Sequence, residues 1–170
     1  MNIMKKVLLS IVVMLVFTLT SFSQSDLSLG VTGFSLDTKL SSKVGINLGV
    51  SINHFYCDLS SNMASGKGEE LDFSSSSTYN ANKLSVGVIN VGYNFYILPS
   101  HMWSVTPMIG YGYAREIYED PIGWDTYFYG NTNSYINFAI ITKVYIDKVG
   151  IFVGTGVIEK FKFGLSYKFN

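Results

Sequence analysis

Residues 160–170, with the sequence KFKFGLSYKFN, contain the stretch that decides the fold. Every second side chain is apolar, and the apolar positions are Phe161, Phe163, Leu165, Tyr167 and Phe169. Lysine, glycine and serine stand between them. Successive side chains of a β-strand point to opposite faces of the sheet. The alternation therefore predicts a strand with one large apolar face and one face that is small or polar.

The same period of two recurs along the chain. From Val44 to Ile52 the even positions are aliphatic, and the odd positions are glycine, asparagine or serine. The segment from Trp103 to Tyr113 alternates in the same way. No window after residue 23 shows a sustained apolar period of about 3.6 residues, so we predict no helix there. The predicted spans are 27–36, 43–57, 83–98, 102–116, 133–147, 149–157 and 160–169, with a weaker eighth span at 69–79.

The connections and one phase change add local detail. The apolar phase changes between Val88 and Ile89, which predicts a β-bulge. Residues 98–101 and 147–148 are short connections that we expect at one end of the sheet. Residues 116–133, rich in aromatic and acidic side chains, are predicted to form a long loop at the other end.

The solvent of each face follows from residue size and charge. Only 14% of the residues are charged, against about 25% in a typical soluble domain. Small side chains on one face suit the crowded interior of a closed barrel, and the large apolar side chains then face lipid. At a tilt of about 45°, the nine residues of Val44–Ile52 cover about 21 Å of membrane, near the expected apolar band of about 25 Å. We predict an all-β, closed, antiparallel up-and-down transmembrane β-barrel of about eight strands.

The N-terminal segment has the pattern of a secretory signal peptide. Lys5 and Lys6 precede an apolar core at 7–19, and small residues at Ser21 and Ser23 suit signal peptidase. We therefore divide the chain into a signal peptide, 1–23, and a barrel domain, 24–170. The single cysteine, Cys57, would then be unpaired in an oxidising compartment, and we expect a buried, inert thiol.

The SFSQ junction at 21–24, the alternating strands and the C-terminal FKFGLSYKFN together resemble the small outer-membrane β-barrels of the OmpA/OmpX type, in a Bacteroidota version. The resemblance implies a place in the cell outer membrane after Sec-dependent export. It also implies that the terminal strand, with its aromatic Phe169, is read by the barrel-assembly machinery. Asn170 departs from the family pattern, in which the aromatic residue ends the chain. The resemblance includes no catalytic motif.

The residue types do not predict a reaction. Twelve basic and twelve acidic residues exclude a strongly basic nucleic-acid binder. Some barrels of this size modify lipids with a histidine, a serine and an acid, but neither His54, placed on an outward face beside Tyr56, nor His101, placed in a turn, has an acidic neighbour in register. We therefore predict no catalytic, cofactor-binding or metal-binding residues and no enzymatic activity.

Three lysines fall on the face that we place inside the barrel: Lys160, Lys162 and Lys168. A buried lysine without a partner is costly. We therefore expect these side chains to pair with Glu116, with carboxylates of the loops or with water.

A cluster of aromatic residues offers the candidate contact surface. Tyr111 and Tyr113 are expected in the aromatic girdle at the membrane surface. Trp124, Tyr127, Phe128 and Tyr129 are candidates for contact with a glycan or protein outside the cell. We predict a monomeric integral outer-membrane protein in contact with outer-membrane lipid, with a structural or surface-interaction role and no identifiable substrate. The alternative is a soluble periplasmic β-barrel that binds an apolar ligand, with the two faces reversed.

Overall fold

The computed structural model describes residues 25–34, 44–66, 68–70, 81–97, 102–119 and 126–169. The predicted signal peptide, 1–23, lies outside these residues. Within them, no helix combines the length and the apolar character needed to cross a membrane. The strands are β1 Ser25–Phe34, β2 Val44–Ile52, β3 Phe55–Ser61, β4 Glu69–Glu70, β5 Ala81–Tyr93, β6 Phe95–Tyr96, β7 Trp103–Glu119, β8 Thr126–Ile146, β9 Val149–Gly156 and β10 Glu159–Lys168.

The eight longer strands form a closed antiparallel barrel, which confirms the predicted fold. Their order around the barrel is β8-β9-β10-β1-β2-β3-β5-β7, and β7 pairs again with β8. The seam between the ends of the chain is the β1–β10 ladder, which runs from Asp26 opposite Lys168 to Phe34 opposite Glu159. The short strand β6 pairs with β7, and β4 lies parallel to the start of β8.

The eighth barrel strand is not the one predicted. The predicted span 43–57 is two strands, β2 and β3, joined by a turn at Asn53 and His54. Asn53 has a φ of 54°, a left-handed conformation that asparagine tolerates better than most residues. Of the predicted span 69–79, Glu69 and Glu70 form β4, and the remainder lies outside the described residues.

The predicted bulge at Val88-Ile89 is wrong, because β5 pairs with β7 in one register from Lys83 to Gly92. Val88 points into the barrel and Ile89 points out, as their order on one regular strand requires. The apparent phase change arises because the upper interior is itself apolar. There Leu84, Val86 and Val88 pack with Phe34, Ala114 and Ile158.

The large apolar side chains face outward on every long strand. One exposed example from each is Leu29, Leu48, Leu59, Val91, Ile109, Phe138, Ile151 and Leu165. The opposite faces are buried and largely polar, with Ser28, Asn47, Ser60, Asn90, Thr106, Asn137 and Lys162 at most 1% exposed. This orientation agrees with the predicted one and is the reverse of the one that a soluble apolar-ligand barrel requires.

Two further predictions are corrected by the strand register. Cys57 is exposed rather than buried, because it shares the outward phase of β3 with Phe55 and Leu59. Most of the predicted loop 116–133 is a continuation of the β7–β8 hairpin, because antiparallel pairing holds from Trp103 opposite Val144 to Glu119 opposite Tyr127.

Candidate functional site

A buried ionic cluster lies across the barrel at Lys162. Its ammonium group is 2.7 Å from Asp58 Oδ2 and 2.9 Å from Glu159 Oε1, and all three side chains are fully buried. The Asn90 amide donates to Asp58 Oδ1 at 2.7 Å and to Glu159 Oε2 at 2.9 Å. Asn137 donates to Asn90 and to Glu159. The lysine thus finds carboxylate partners on its own strand and on β3.

Lys160 does not belong to this cluster, so its predicted interior position is wrong. The β1–β10 ladder shifts register between Gly33 and Phe34, where the partners pass from Phe161 to Glu159. The shift leaves Lys160 exposed beside the outward Phe161 while Glu159 and Lys162 both point inward.

A second ionic cluster lies nearer the end with the short turns. Lys143 Nζ is 2.7 Å from Asp26 Oδ1, and it donates to Ser28 at 3.1 Å and Ser51 at 3.2 Å. The same ammonium group lies 4.3 Å from the centre of the Tyr56 ring. Sequence reasoning missed Lys143 because Thr142, next to it, interrupts the outward apolar row and makes the phase hard to assign.

The remaining predicted charge pairs are also different. Lys168 is half-buried, and its ammonium group lies 3.9 Å from the centre of the Tyr145 ring at the mouth of the barrel. Glu116 accepts a hydrogen bond from Tyr118 at 2.9 Å rather than one from an interior lysine. This hydrogen bond stabilises the neutral phenol and raises the pKa of Tyr118.

Apolar side chains also cluster in the interior. Tyr56, Met108, Ala139 and Ile141 pack together. The apolar cluster around Val86 and Val88 lies toward the end opposite the short turns. Among the described residues, no group of histidine, cysteine and acidic side chains converges on a metal position.

His54, the described one of the two histidines, lies in the β2–β3 turn. It stacks on Tyr93 with a centroid distance of 5.1 Å. Its Nδ1 is 3.1 Å from the backbone oxygen of Asn94. Its predicted place on the outward face of a strand beside Tyr56 is therefore wrong, since Tyr56 points into the barrel. His101 lies outside the described residues.

The β7–β8 hairpin extends beyond the end of β9, while on its other side β5 accompanies β7 as far as Tyr118. β9 pairs with β8 only from Ala139 to Ile146, although β8 begins at Thr126. On the edge of β8 that faces away from β7, β4 pairs with Thr126 and Tyr127. Within the described chain, Gly130–Tyr135 has no strand paired on this side. Asn131, Thr132, Asn133 and Ser134 are all exposed and uncharged.

Three of the predicted contact residues, Tyr127, Phe128 and Tyr129, lie at the start of β8 in this hairpin. Tyr118 stacks on Phe128 at 4.8 Å, and Tyr127 meets Tyr129 edge to face at 5.4 Å. The Arg115 guanidinium lies 3.8 Å from the centre of the Tyr129 ring. Residues 127–129 are half-buried, and Trp124 lies outside the described residues. The structure therefore brings Tyr127 and Tyr129 together and pairs Phe128 with Tyr118 instead.

These features define a closed eight-stranded antiparallel β-barrel with buried ionic clusters, an apolar outer wall and a β7–β8 hairpin that extends beyond β9. The fold is similar to that of Ail, the attachment invasion locus protein of Yersinia pestis, with a TM-score of 0.52 and 13% sequence identity over 86% of this chain and 95% of that chain. A second structure of Ail, in complex with the heparin analogue sucrose octasulfate, matches with a TM-score of 0.45 and 13% identity over 85% and 94%. No protein-family model and no curated protein sequence matches the chain.

Proposed function

We propose that residues 24–170 form an integral outer-membrane β-barrel protein, of the OmpA/OmpX type in its Bacteroidota version, exported with 1–23 as a cleaved signal peptide. The observation that carries the proposal is the inversion of polarity. Large apolar side chains cover the outside of all eight long strands, and the inside holds buried ion pairs and polar side chains. Exposed apolar surface on this scale marks a contact with membrane or protein.

The height of the apolar wall supports a membrane as the partner. On β8 the outward row begins at Ile136 and ends at Ile146. Ten residue steps rise about 33 Å along a strand, or about 23 Å along the normal at a tilt of about 45°. This height is close to the apolar band of about 25 Å in outer-membrane barrels. Exposed aromatic side chains border the wall, with Tyr111 and Tyr113 at one edge and Trp103 and Tyr167 at the other.

The proposed role is structural or surface-interacting, without enzymatic activity. The packed interior supports a scaffold rather than a route for solutes, since side chains fill barrels of this size. The surface contacts belong to the β7–β8 hairpin and its connection, with Trp124, Tyr127, Phe128 and Tyr129 as candidate residues. Among the described residues no strand pairs with Gly130–Tyr135 on the side away from β7, and this edge suits an extended partner segment, because a sheet edge offers backbone hydrogen bonds to an added strand. In the membrane the protein is a monomer, delivered by the barrel-assembly machinery through its C-terminal strand.

Fluorescence quenching tests the membrane position. In a Trp124→Phe background, Trp103 is the only tryptophan of the chain. Trp103 is 41% exposed on the outer wall, so phospholipids brominated on their acyl chains should quench its emission in reconstituted vesicles. Vesicles of the same lipid without bromine are the control. Emission that is indifferent to bromine at every depth would contradict the proposal and favour the soluble alternative.

Cell fractionation provides a second test. We expect the protein in the wash-resistant outer-membrane pellet, with a mobility in gels that changes on heating. Recovery in the osmotic-shock fluid would support the soluble periplasmic barrel instead.

A further inference from the structure

The outer wall is interrupted by a groove on strands β7, β8 and β9. The groove has a volume of about 460 Å³, and its lining includes Trp103, Val105, Ile140, Thr142, Val153 and Thr155. It forms where Thr142 interrupts the aliphatic outward row between Ile140 and Val144. The smaller side chain leaves a depression in the wall, and Trp103 forms one side of it.

The groove offers hydrocarbon and no unmet hydrogen-bonding group. Trp103 Nε1 donates to Thr142 Oγ1 at 2.8 Å, and Thr142 Oγ1 donates to the backbone oxygen of Ser104 at 3.0 Å. Thr155 Oγ1 donates to the backbone oxygen of Lys160 at 2.7 Å. The polar atoms of the lining are therefore satisfied within the protein, so a complementary occupant is an apolar chain.

A positive charge lies at the end of the groove strands. Lys148 is exposed in the two-residue turn that joins β8 to β9, next to Asp147. The backbone nitrogen of Lys168 donates to the backbone oxygen of Lys148 at 2.8 Å, which places a second lysine beside this turn. The Lys168 ammonium group turns into the barrel mouth over the Tyr145 ring, so Lys148 is the cation that this end of the groove presents to an anionic group.

We propose that the groove holds one acyl chain of a single phospholipid, with its phosphate at Lys148. The inference rests on the proposed membrane position. From Thr142 to the end of β8 at Ile146, next to the turn with Lys148, the chain rises about 13 Å along the strand, or about 9 Å along the membrane normal at a tilt of about 45°. Half of a hydrocarbon core of about 30 Å is about 15 Å. An acyl chain whose headgroup lies at Lys148 therefore reaches the groove.

Lipid retention tests the site. The barrel is reconstituted in vesicles of phosphatidylglycerol and phosphatidylethanolamine, extracted in mild detergent and examined by native mass spectrometry. Wild type should retain one phospholipid per barrel. Val153→Trp fills the groove and should abolish retention. Leu48→Trp is the matched control, because Leu48 lies in the outer wall on β2, across the barrel from β8.

The charged end of the site has its own control pair. Lys148→Glu should lower the retained fraction, whereas Lys160→Glu, at the other end of the barrel, should not. A heat-dependent gel shift shows that each variant is folded. Equal phospholipid retention in Val153→Trp and Leu48→Trp would refute the groove as a lipid-binding site. If brominated lipid quenches Trp103 and the two tryptophan variants nevertheless retain phospholipid equally, the lipid site is refuted and the membrane position is supported. If brominated lipid does not quench Trp103, the proposed function is refuted as well.

Discussion

Replacement of Lys162 by methionine should destabilise the barrel more than any other single lysine replacement in the described chain. Methionine keeps an unbranched apolar side chain and removes the charge. The change leaves Asp58 and Glu159 buried without their shared counter-charge. Both carboxylates keep the Asn90 amide, and Glu159 also keeps Asn137. These amides do not replace a positive charge.

The expected magnitude follows from burial. Removal of one member of a buried ion pair costs about 3–5 kcal/mol, and two carboxylates depend on Lys162. Lys143→Met should lower the free energy of unfolding by less, because it leaves one carboxylate, Asp26, without its counter-charge near the end of the barrel. Lys160→Met should change stability by no more than about 0.5 kcal/mol, because Lys160 is exposed.

Urea unfolding in phospholipid vesicles, followed by tryptophan fluorescence and by gel mobility of unboiled samples, measures these differences. Lys160→Met is the matched control, because Lys160 lies two residues before Lys162 on the same strand and is exposed. Adding Asp58→Asn to Lys162→Met should recover part of the loss, because it removes one of the two stranded charges. If Lys162→Met and Lys160→Met unfold at the same urea concentration, the ion-pair reasoning is refuted.

Three further outcomes are expected. Gly164→Ala should destabilise the barrel by about 1–3 kcal/mol in the same unfolding assay. The added methyl group would meet the backbone of Leu29 and Gly30 and lie 2.8 Å from Phe152. A loss of stability equal to that of the outward Leu165→Val would contradict this expectation. Glu116→Gln should lower the pKa of Tyr118 toward its ordinary value, because it removes the carboxylate that stabilises the neutral phenol; phenolate absorbance against pH measures this, and an unchanged titration would count against the hydrogen bond. In a Cys57→Ser background, a membrane-impermeant maleimide should label Asn133→Cys but not Lys148→Cys on intact cells, and the opposite pattern would reverse the proposed orientation.

The alternation of the sequence was sufficient to predict which faces point outward. The apolar rows within Val44–Ile52 and Trp103–Tyr113 lie on the outer wall as predicted, because on a regular strand every second side chain points to the same face. It could not show that the upper interior is apolar. A face of Leu84, Val86 and Val88 has the same pattern whether it meets lipid or an internal plug, so an interior apolar row was mistaken for a change of phase.

The ionic interior was beyond sequence reasoning for a different reason. Lys162 and Asp58 are 104 residues apart, and β10 and β3 are not neighbours in the sheet. Their contact depends on the radius and stagger of the closed barrel, which the pattern within one strand does not encode. The turn at Asn53 was missed because it lacks the glycine that marks many two-residue hairpins.

The seam between β1 and β10 has a consequence for the order of assembly. Ser28 and Ser166 meet there at 2.7 Å although they are 138 residues apart. Strands that are neighbours in the sequence can pair as local hairpins. β1 and β10 can pair only after β10 has been made, and until then both have a row of unsatisfied backbone amides. In hydrocarbon each such group costs several kcal/mol, so in the proposed membrane setting insertion before closure is strongly unfavourable. In that setting β1 has to stay sheltered from lipid until β10, Glu159–Lys168, is in place beside it, and a lesion in β10 would block closure of the whole barrel.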